Sequence, residues 1–435
     1  MGSPVRTPAV PPLCTETLAN GLTVLVLEDH SVPIASVWCW YRVGSADEVE
    51  GRTGLSHWVE HMNFKGTTHI PREAVKGIIE RFGGMWNGYT WVDQTAYVQT
   101  AGRDALDQML WIEAERMGRC LYDPVDCESE RTVILSELDG SDNDPAQRLD
   151  QAVTSAAFTV HPYRQPTIGW RADLCAMTRD DLVSHYRRYY VPNNATLVVV
   201  GDVDASDVVA RVTHHFGGFA RGVVPPRSRA VEPMQEGRRR VCLRTADATA
   251  YLQCAWRAPA VSDPDFVPAL LLDAVLTGAR GVNLWSSPEA AVPQRRARLY
   301  RALVDTGRAV HVDGALWPTP DPFLYSIGMT IAEGVALADV EAHTLSVIDD
   351  VIHRGISAEE RARAARQLRA QLVFDQDSVT NVAHQLGYFT TIDALDVFLS
   401  LSERIAAVTV DDMQRVAGTL LSPARLTIGW SEPQR

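Results

Sequence analysis

The chain has no apolar run long enough to span a bilayer, which excludes a helical membrane protein. Its first twelve residues, from Met1 to Pro12, lack the apolar stretch of a secretory signal and read as a flexible leader over residues 1–14, so a cytoplasmic protein is expected. Cysteine is sparse. Cys14, Cys39, Cys120, Cys127, Cys175, Cys242 and Cys254 form an odd, scattered set with no Cys-x-x-Cys spacing, which argues against a disulfide framework and a thiolate metal site. Most are expected to be small buried apolar residues. A cationic excess is also missing: 41 Lys and Arg face 54 Asp and Glu, a net charge of −13, which disfavours binding to a phosphate backbone. The basic runs Arg238–Arg240 and Arg295–Arg301 are short and read as solvated surface.

What is present is an ordinary globular composition, 46% hydrophobic and 22% charged, and one chemically pointed segment, His57-Trp58-Val59-Glu60-His61. Residues four apart lie on one helix face, so the two imidazoles can grip a single tetrahedral zinc. Glu60 shares that face and can act as a general base toward water at the metal. The order His-x-x-Glu-His is the inverse of the common metalloprotease helix. A helix is expected here, entered from a loop containing Gly51, Thr53 and Gly54, with Leu55, Val59 and Met62 on its buried side.

A third protein ligand must come from elsewhere, and the segment 128–137 is the best donor. It reads as a helix whose carboxylates Glu130 and Glu137, seven apart, share one face, while Val133, Ile134 and Leu138 offer an apolar one. One could ligate and the other support; a solvated acidic face paired with Arg131 is the competing structural reading.

These residues resemble the pitrilysin/insulinase family of zinc peptidases, in its two-domain bacterial and mitochondrial-processing-peptidase branch. The likeness runs from Asn20-Gly-Leu-Thr-Val24 through His57–His61 and Asn63-Phe-Lys-Gly-Thr67. It continues in Gly83-Gly-Met-Trp-Asn-Gly-Tyr-Thr90, in Asp93, Thr95 and Tyr97, and in the 130–137 helix. It ends in Pro166-Thr-Ile-Gly169, Tyr190-Val-Pro-Asn-Asn-Ala-Thr196 and Val199-Val-Gly-Asp202. The resemblance implies that His57, His61 and Glu137 bind one zinc ion, that Glu60 activates water, and that Glu130 supports from behind. It implies that Asn87 and Gly88 lie on an edge strand that accepts an extended peptide as an added strand.

An internal echo marks two homologous halves. Thr178-Arg-Asp-Asp-Leu182 precedes Pro192 and Thr196, and Thr409-Val-Asp-Asp-Met413 precedes Pro423 and Thr427, at identical spacings. Each threonine is expected to cap a helix that leads into a β-rich run. The fold class expected is α+β, two homologous halves each with a mostly antiparallel sheet covered by helices. A catalytic zinc-binding half at 15–221 and a metal-free half at 237–435 are expected to be joined by a linker at 222–236, and only the first half carries the motif.

In the resembled family an arginine–tyrosine pair from the C-terminal half helps hold the substrate and polarise its carbonyl. Here the matching positions are Leu303 or Val304, and Val310, with Tyr300, Arg301 and Arg308 poor substitutes on spacing. Such a stabiliser is worth about 3 to 4 kcal/mol of barrier, so another chain is expected to supply it. A heterodimer with a metal-free paralogue is favoured over a homodimer. The expected activity is zinc-dependent endopeptidase action on unfolded or extended peptides. The alternatives are a noncatalytic core or assembly subunit of a processing-peptidase-like complex, and a zinc hydrolase of a non-peptide substrate.

Overall fold

A computed structural model of the chain describes residues 12–434 apart from 73, 228 and 286–293. Eleven strands among these form two sheets. The strands are β1 (Cys14–Thr17), β2 (Thr23–Glu28), β3 (Ile34–Tyr41), β4 (Met85–Thr90), β5 (Thr95–Gly102), β6 (Ala195–Gly201), β7 (Arg239–Thr245), β8 (Tyr251–Arg257), β9 (Ala309–Leu316), β10 (Leu324–Ile331) and β11 (Thr427–Pro433). The first sheet has the order β1-β2-β6-β3-β5-β4 and the second β7-β11-β8-β10-β9. One pair in each sheet is parallel, β2 with β6 and β7 with β11; the other pairs are antiparallel. The α+β class with two mostly antiparallel sheets is what the sequence predicts. Most of the leader expected at 1–14 lies outside the described residues, and Cys14 already opens β1.

The central strands explain the architecture. In β3 all residues from Ala35 to Tyr41 are buried, so both faces of the strand need cover. Val37, Cys39 and Tyr41 enter a core with the helices of residues 55–216, whereas Trp38 and Trp40 enter a core built mainly from residues after 250. The cover on that second face is the helix Val379–Thr391, which packs on β3 and β6. There the His384 ring stands 5.0 Å from Trp38 and 5.2 Å from Trp40. A hypothetical Cβ on Gly387 would come within 1.9 Å of Trp40, so only glycine admits this approach. The reciprocal contact is made by the helix Pro145–Ala157, which packs on β7, β8 and β11. Its Leu149 and Val153 lie over Gly429, where a Cβ would come within 2.3 Å of Val153. Each sheet is thus covered by a helix from the other half of the chain.

The two echoed threonines do cap helices. Thr178 and Thr409 each make a capping box with an aspartate three residues on, Asp181 and Asp412, at the starts of Arg179–Tyr189 and Val410–Leu420. Among the described residues, 217–238 hold no helix or strand, yet this stretch is tied down. Arg229 pairs with Asp47, Asp93 and Asp321, and the Glu232 carboxylate accepts the backbone N–H groups of Thr159, Val160 and His161 at 2.6 to 2.8 Å. Two expectations need correction. Only Cys39, Cys127 and Cys254 are buried, because Cys175 and Cys242 face solvent and Cys14 and Cys120 lie at partly covered positions. Val133 is 41% exposed, because its helix turns Ile134 inward instead. No helix among the described residues is long and apolar enough to cross a membrane.

Candidate active site

The motif forms the helix Leu55–Met62, with Leu55, Trp58, Val59 and Met62 buried. Its N-terminal residue Gly54 adopts φ +91° and offers no side-chain cap. The buried Glu48 carboxylate takes that role, accepting from Gly54 N at 2.7 Å and Ser56 N at 2.6 Å. Sequence reasoning missed Glu48; the signal was a helix start whose capping position, a glycine, carries no acceptor.

One turn apart, the imidazoles converge: His57 Nε2 and His61 Nε2 are 3.1 Å from each other. The long helix Pro124–Asp142, capped by Asp123, brings Glu137 over them. Glu137 Oε2 stands 3.8 Å from His57 Nε2 and 3.6 Å from His61 Nε2. These three residues form the only cluster of histidine, cysteine and carboxylate ligands among the described residues that could hold a metal ion, with all donor atoms within 4.8 Å. The other glutamate of that helix face, Glu130, is buried and meets His61 Nδ1 at 2.9 Å. Arg131 pairs with Glu128 instead, so the acidic face is not the solvated Arg131 pair of the competing reading.

The protonation pattern suits a cation. Burial, and then the neighbouring His61, push His57 down to about 3, leaving it a neutral ring. In His61 burial is outweighed by the Glu130 hydrogen bond and by the charges of Glu60, Glu137 and Glu130, so its pKa is raised. In the neutral tautomer whose Nδ1–H donates to Glu130, His61 Nε2 carries a lone pair that faces Nε2 of His57. Two ring nitrogens so placed need a proton or a cation between them. A tetrahedral zinc with two imidazole arms sets its nitrogens about 3.3 Å apart, so the donor set fits zinc.

Glu60 is 7% exposed. Burial, set against the charge of His61 and the Thr90 hydrogen bond, raises its pKa to about 7. The Thr90 hydroxyl donates to Oε2 at 3.0 Å, while Oε1 is turned toward Gly88, where a Cβ would come within 3.1 Å of it. Gly88 therefore lets the carboxylate lie against β4. Among the described residues β4 pairs only with β5, so its outer edge is open; Asn87 is exposed on that strand and accepts the Gly88 N–H. Thr90 and Tyr89 went unnoticed in the sequence as site residues. Tyr89 reaches the other way, its hydroxyl 2.7 Å from His384 Nε2, and so fastens the edge strand to the helix Val379–Thr391. At the positions matched to the arginine–tyrosine pair, Leu303 is buried in the short π-helix Tyr300–Val304 and Val310 is exposed on β9.

Residues 23–170 match the family model described as Insulinase (Peptidase family M16), and residues 176–368 match its companion, the Peptidase M16 inactive domain. An uncharacterized zinc protease of Mycobacterium bovis is 30% identical over 434 residues, covering 96% of this chain and 94% of that protein. The chain belongs to the pitrilysin/insulinase family. A second uncharacterized zinc protease, from Mycobacterium leprae, is 35% identical over 220 residues; that match spans about half of either protein, 49% of each. The fold of this insulinase-family chain is shared with a protease from Helicobacter pylori, whose crystal structure superposes with a TM-score of 0.90 at 24% identity, covering 98% of this chain and all of that one.

Proposed function

We propose that this chain is a zinc-dependent endopeptidase acting on unfolded or extended peptides, built as a catalytic half, 15–221, joined by 222–236 to a metal-free half, 237–435. The observation that carries the reading is the meeting of His57, His61 and Glu137 beside a buried Glu60 that lies against an open edge strand. His57, His61 and Glu137 would hold the zinc, and Glu130 would orient His61. Zinc bound there supplies a Lewis acid, which polarises a carbonyl and eases loss of a proton from water.

The chain's own residues supply the rest. Glu60 takes the proton of the attacking water and passes it to the leaving nitrogen, a role open to a carboxylate held on the same helix face as the two imidazoles, with Oε1 turned to the edge strand. The Thr90 hydroxyl fixes one carboxylate oxygen so that the other stays turned to Gly88. The open edge of β4 at Asn87 and Gly88 offers main-chain groups to a peptide laid beside it as an added strand. The side chains of Leu303 or Val304, and of Val310, cannot donate a hydrogen bond to a carbonyl. A metal-free paralogue that donates an arginine and a tyrosine is therefore part of the proposal, with a homodimer as the second arrangement.

Zinc content, cleavage of a mixed peptide library and size-exclusion of the chain, alone and with a candidate paralogue, test this. Zinc with cleavage that needs the paralogue is the expected outcome. A fully active homodimer would remove the paralogue, and a zinc-free chain inert in every mixture would favour the noncatalytic assembly subunit. Cleavage of a small amide or ester but of no peptide would favour a non-peptide hydrolase.

A further inference from the structure

Behind the two histidines lies a cation that the mechanism does not use. Of the 41 Lys and Arg residues only Lys65 and Lys76 are lysines. Lys76 is exposed and pairs with Glu80 at 3.5 Å along its own helix. Lys65 instead places its ammonium on Glu130 Oε2, while Glu130 Oε1 receives His61 Nδ1–H at 2.9 Å. One carboxylate is thus held between a cation and an imidazole, and the Glu130 side chain is only 6% exposed.

The backbone that carries Lys65 is fixed. It follows the motif helix in a turn where Asn63 N–H bonds to Val59 O and Glu60 O, Lys65 N–H bonds to Met62 O at 2.9 Å, and Gly66 takes φ +103°. The Asn63 side chain is gripped by Tyr97 and Tyr122 hydroxyls, each at 2.9 Å. The sequence step from His61 to Lys65 is therefore rigid, and the ammonium meets Glu130 at a set place. Without Lys65, Glu130 Oε2 would be a buried carboxylate oxygen with no other partner among the described residues. The carboxylate would then be free to turn from His61 toward solvent.

We propose that Lys65 is a positioning residue for the metal: acting through Glu130, it fixes the His61 ring with Nε2 turned into the ligand set. This rests on the metal reading above. Loss of such outer partners lowers metal affinity by about 10- to 100-fold. A merely structural ion pair would lower the melting temperature and leave the affinity of folded protein alone.

The test measures the zinc dissociation constant of the full chain by chelator competition, with the melting temperature of the metal-free protein alongside. Lys65→Met should weaken zinc binding by about 10- to 100-fold, Lys65→Arg should recover part of the loss, and Lys76→Met should match wild type. Placed on Glu130→Gln, Lys65→Met should add little, since both act through one carboxylate. Lys65→Gln serves the same comparison if Lys65→Met does not fold. Wild-type affinity in folded Lys65→Met, or full additivity with Glu130→Gln, would overturn the inference and leave the metal reading standing. A wild type that binds no zinc would overturn both.

Discussion

Across the first sheet one row of paired residues runs Val24, Leu197, Cys39, Tyr97, Gly88; across the second the corresponding row runs Arg240, Ile428, Cys254, Ile327, Gly314. Each row ends in a glycine on an edge strand, and each glycine faces an acid from a helix. Gly88 faces Glu60, and a Cβ on Gly314 would come within 2.0 Å of Asp273 Oδ1. Around Glu60 stand His57 and His61; at the same offsets around Asp273, on Phe266–Leu276, stand Leu270 and Ala274, both buried. The first acid keeps one oxygen toward the open edge. In the second, Oδ1 accepts both the Thr277 and the Tyr325 hydroxyls, at 2.6 and 3.0 Å. The scaffold therefore makes room for an acid beneath an edge glycine twice. On the proposed reading the pair of imidazoles makes one of these places a metal site, while the other serves as a hydrogen-bond acceptor.

The comparison breaks most visibly in turnover. Glu60→Gln should keep zinc and lose about 10²- to 10⁴-fold in peptide cleavage, while Asp273→Asn should cleave at nearly the wild-type rate; His57→Ala and Glu137→Gln should lose metal and cleavage together. Equal losses from Glu60→Gln and Asp273→Asn would end the distinction between the halves.

Stability against pH sharpens it. Folding raises Glu60 from 4.5 to about 7 and Asp273 from 3.8 to about 6, mainly through burial. In both, the folded form holds its proton more tightly, so this stabilisation is full below the unfolded value and is lost as pH rises through the folded one. Urea titrations of metal-free protein should show Glu60→Gln gaining on wild type between pH 4.5 and 7 and Asp273→Asn between 3.8 and 6, each levelling at about 3 kcal/mol. A smaller and equal effect is expected at the two helix crossings. Gly387→Ala and Gly429→Ala should each cost about 1 to 3 kcal/mol in urea unfolding, and a loss at one alone would show that the exchange is not reciprocal.

Much of this was legible in the sequence. The spacing of His57, Glu60 and His61 fixes their common helix face, Glu130 and Glu137 share another, and the Thr178 and Thr409 boxes mark equivalent helices, because such signals are local. The rest depends on chain segments that meet only in the folded state. Nothing near Trp38 or Trp40 announces that a helix more than three hundred residues on will cover them. Val133 reads as apolar cover, but which side of an amphipathic helix is buried is decided by its neighbours. Glu48, Thr90 and Lys65 look like ordinary polar residues until the turn, the edge strand and the long helix place them around the motif.

Because each sheet borrows its cover from the other half, the order of synthesis leaves the first half unfinished for a long time. Its last strand is complete at Gly201, yet the helix that shields Trp38 and Trp40 ends at Thr391. At ordinary ribosomal rates that interval is about 10 to 40 s. A first half that folded as soon as it was made would stand for that interval with the Trp38 and Trp40 face of its sheet uncovered.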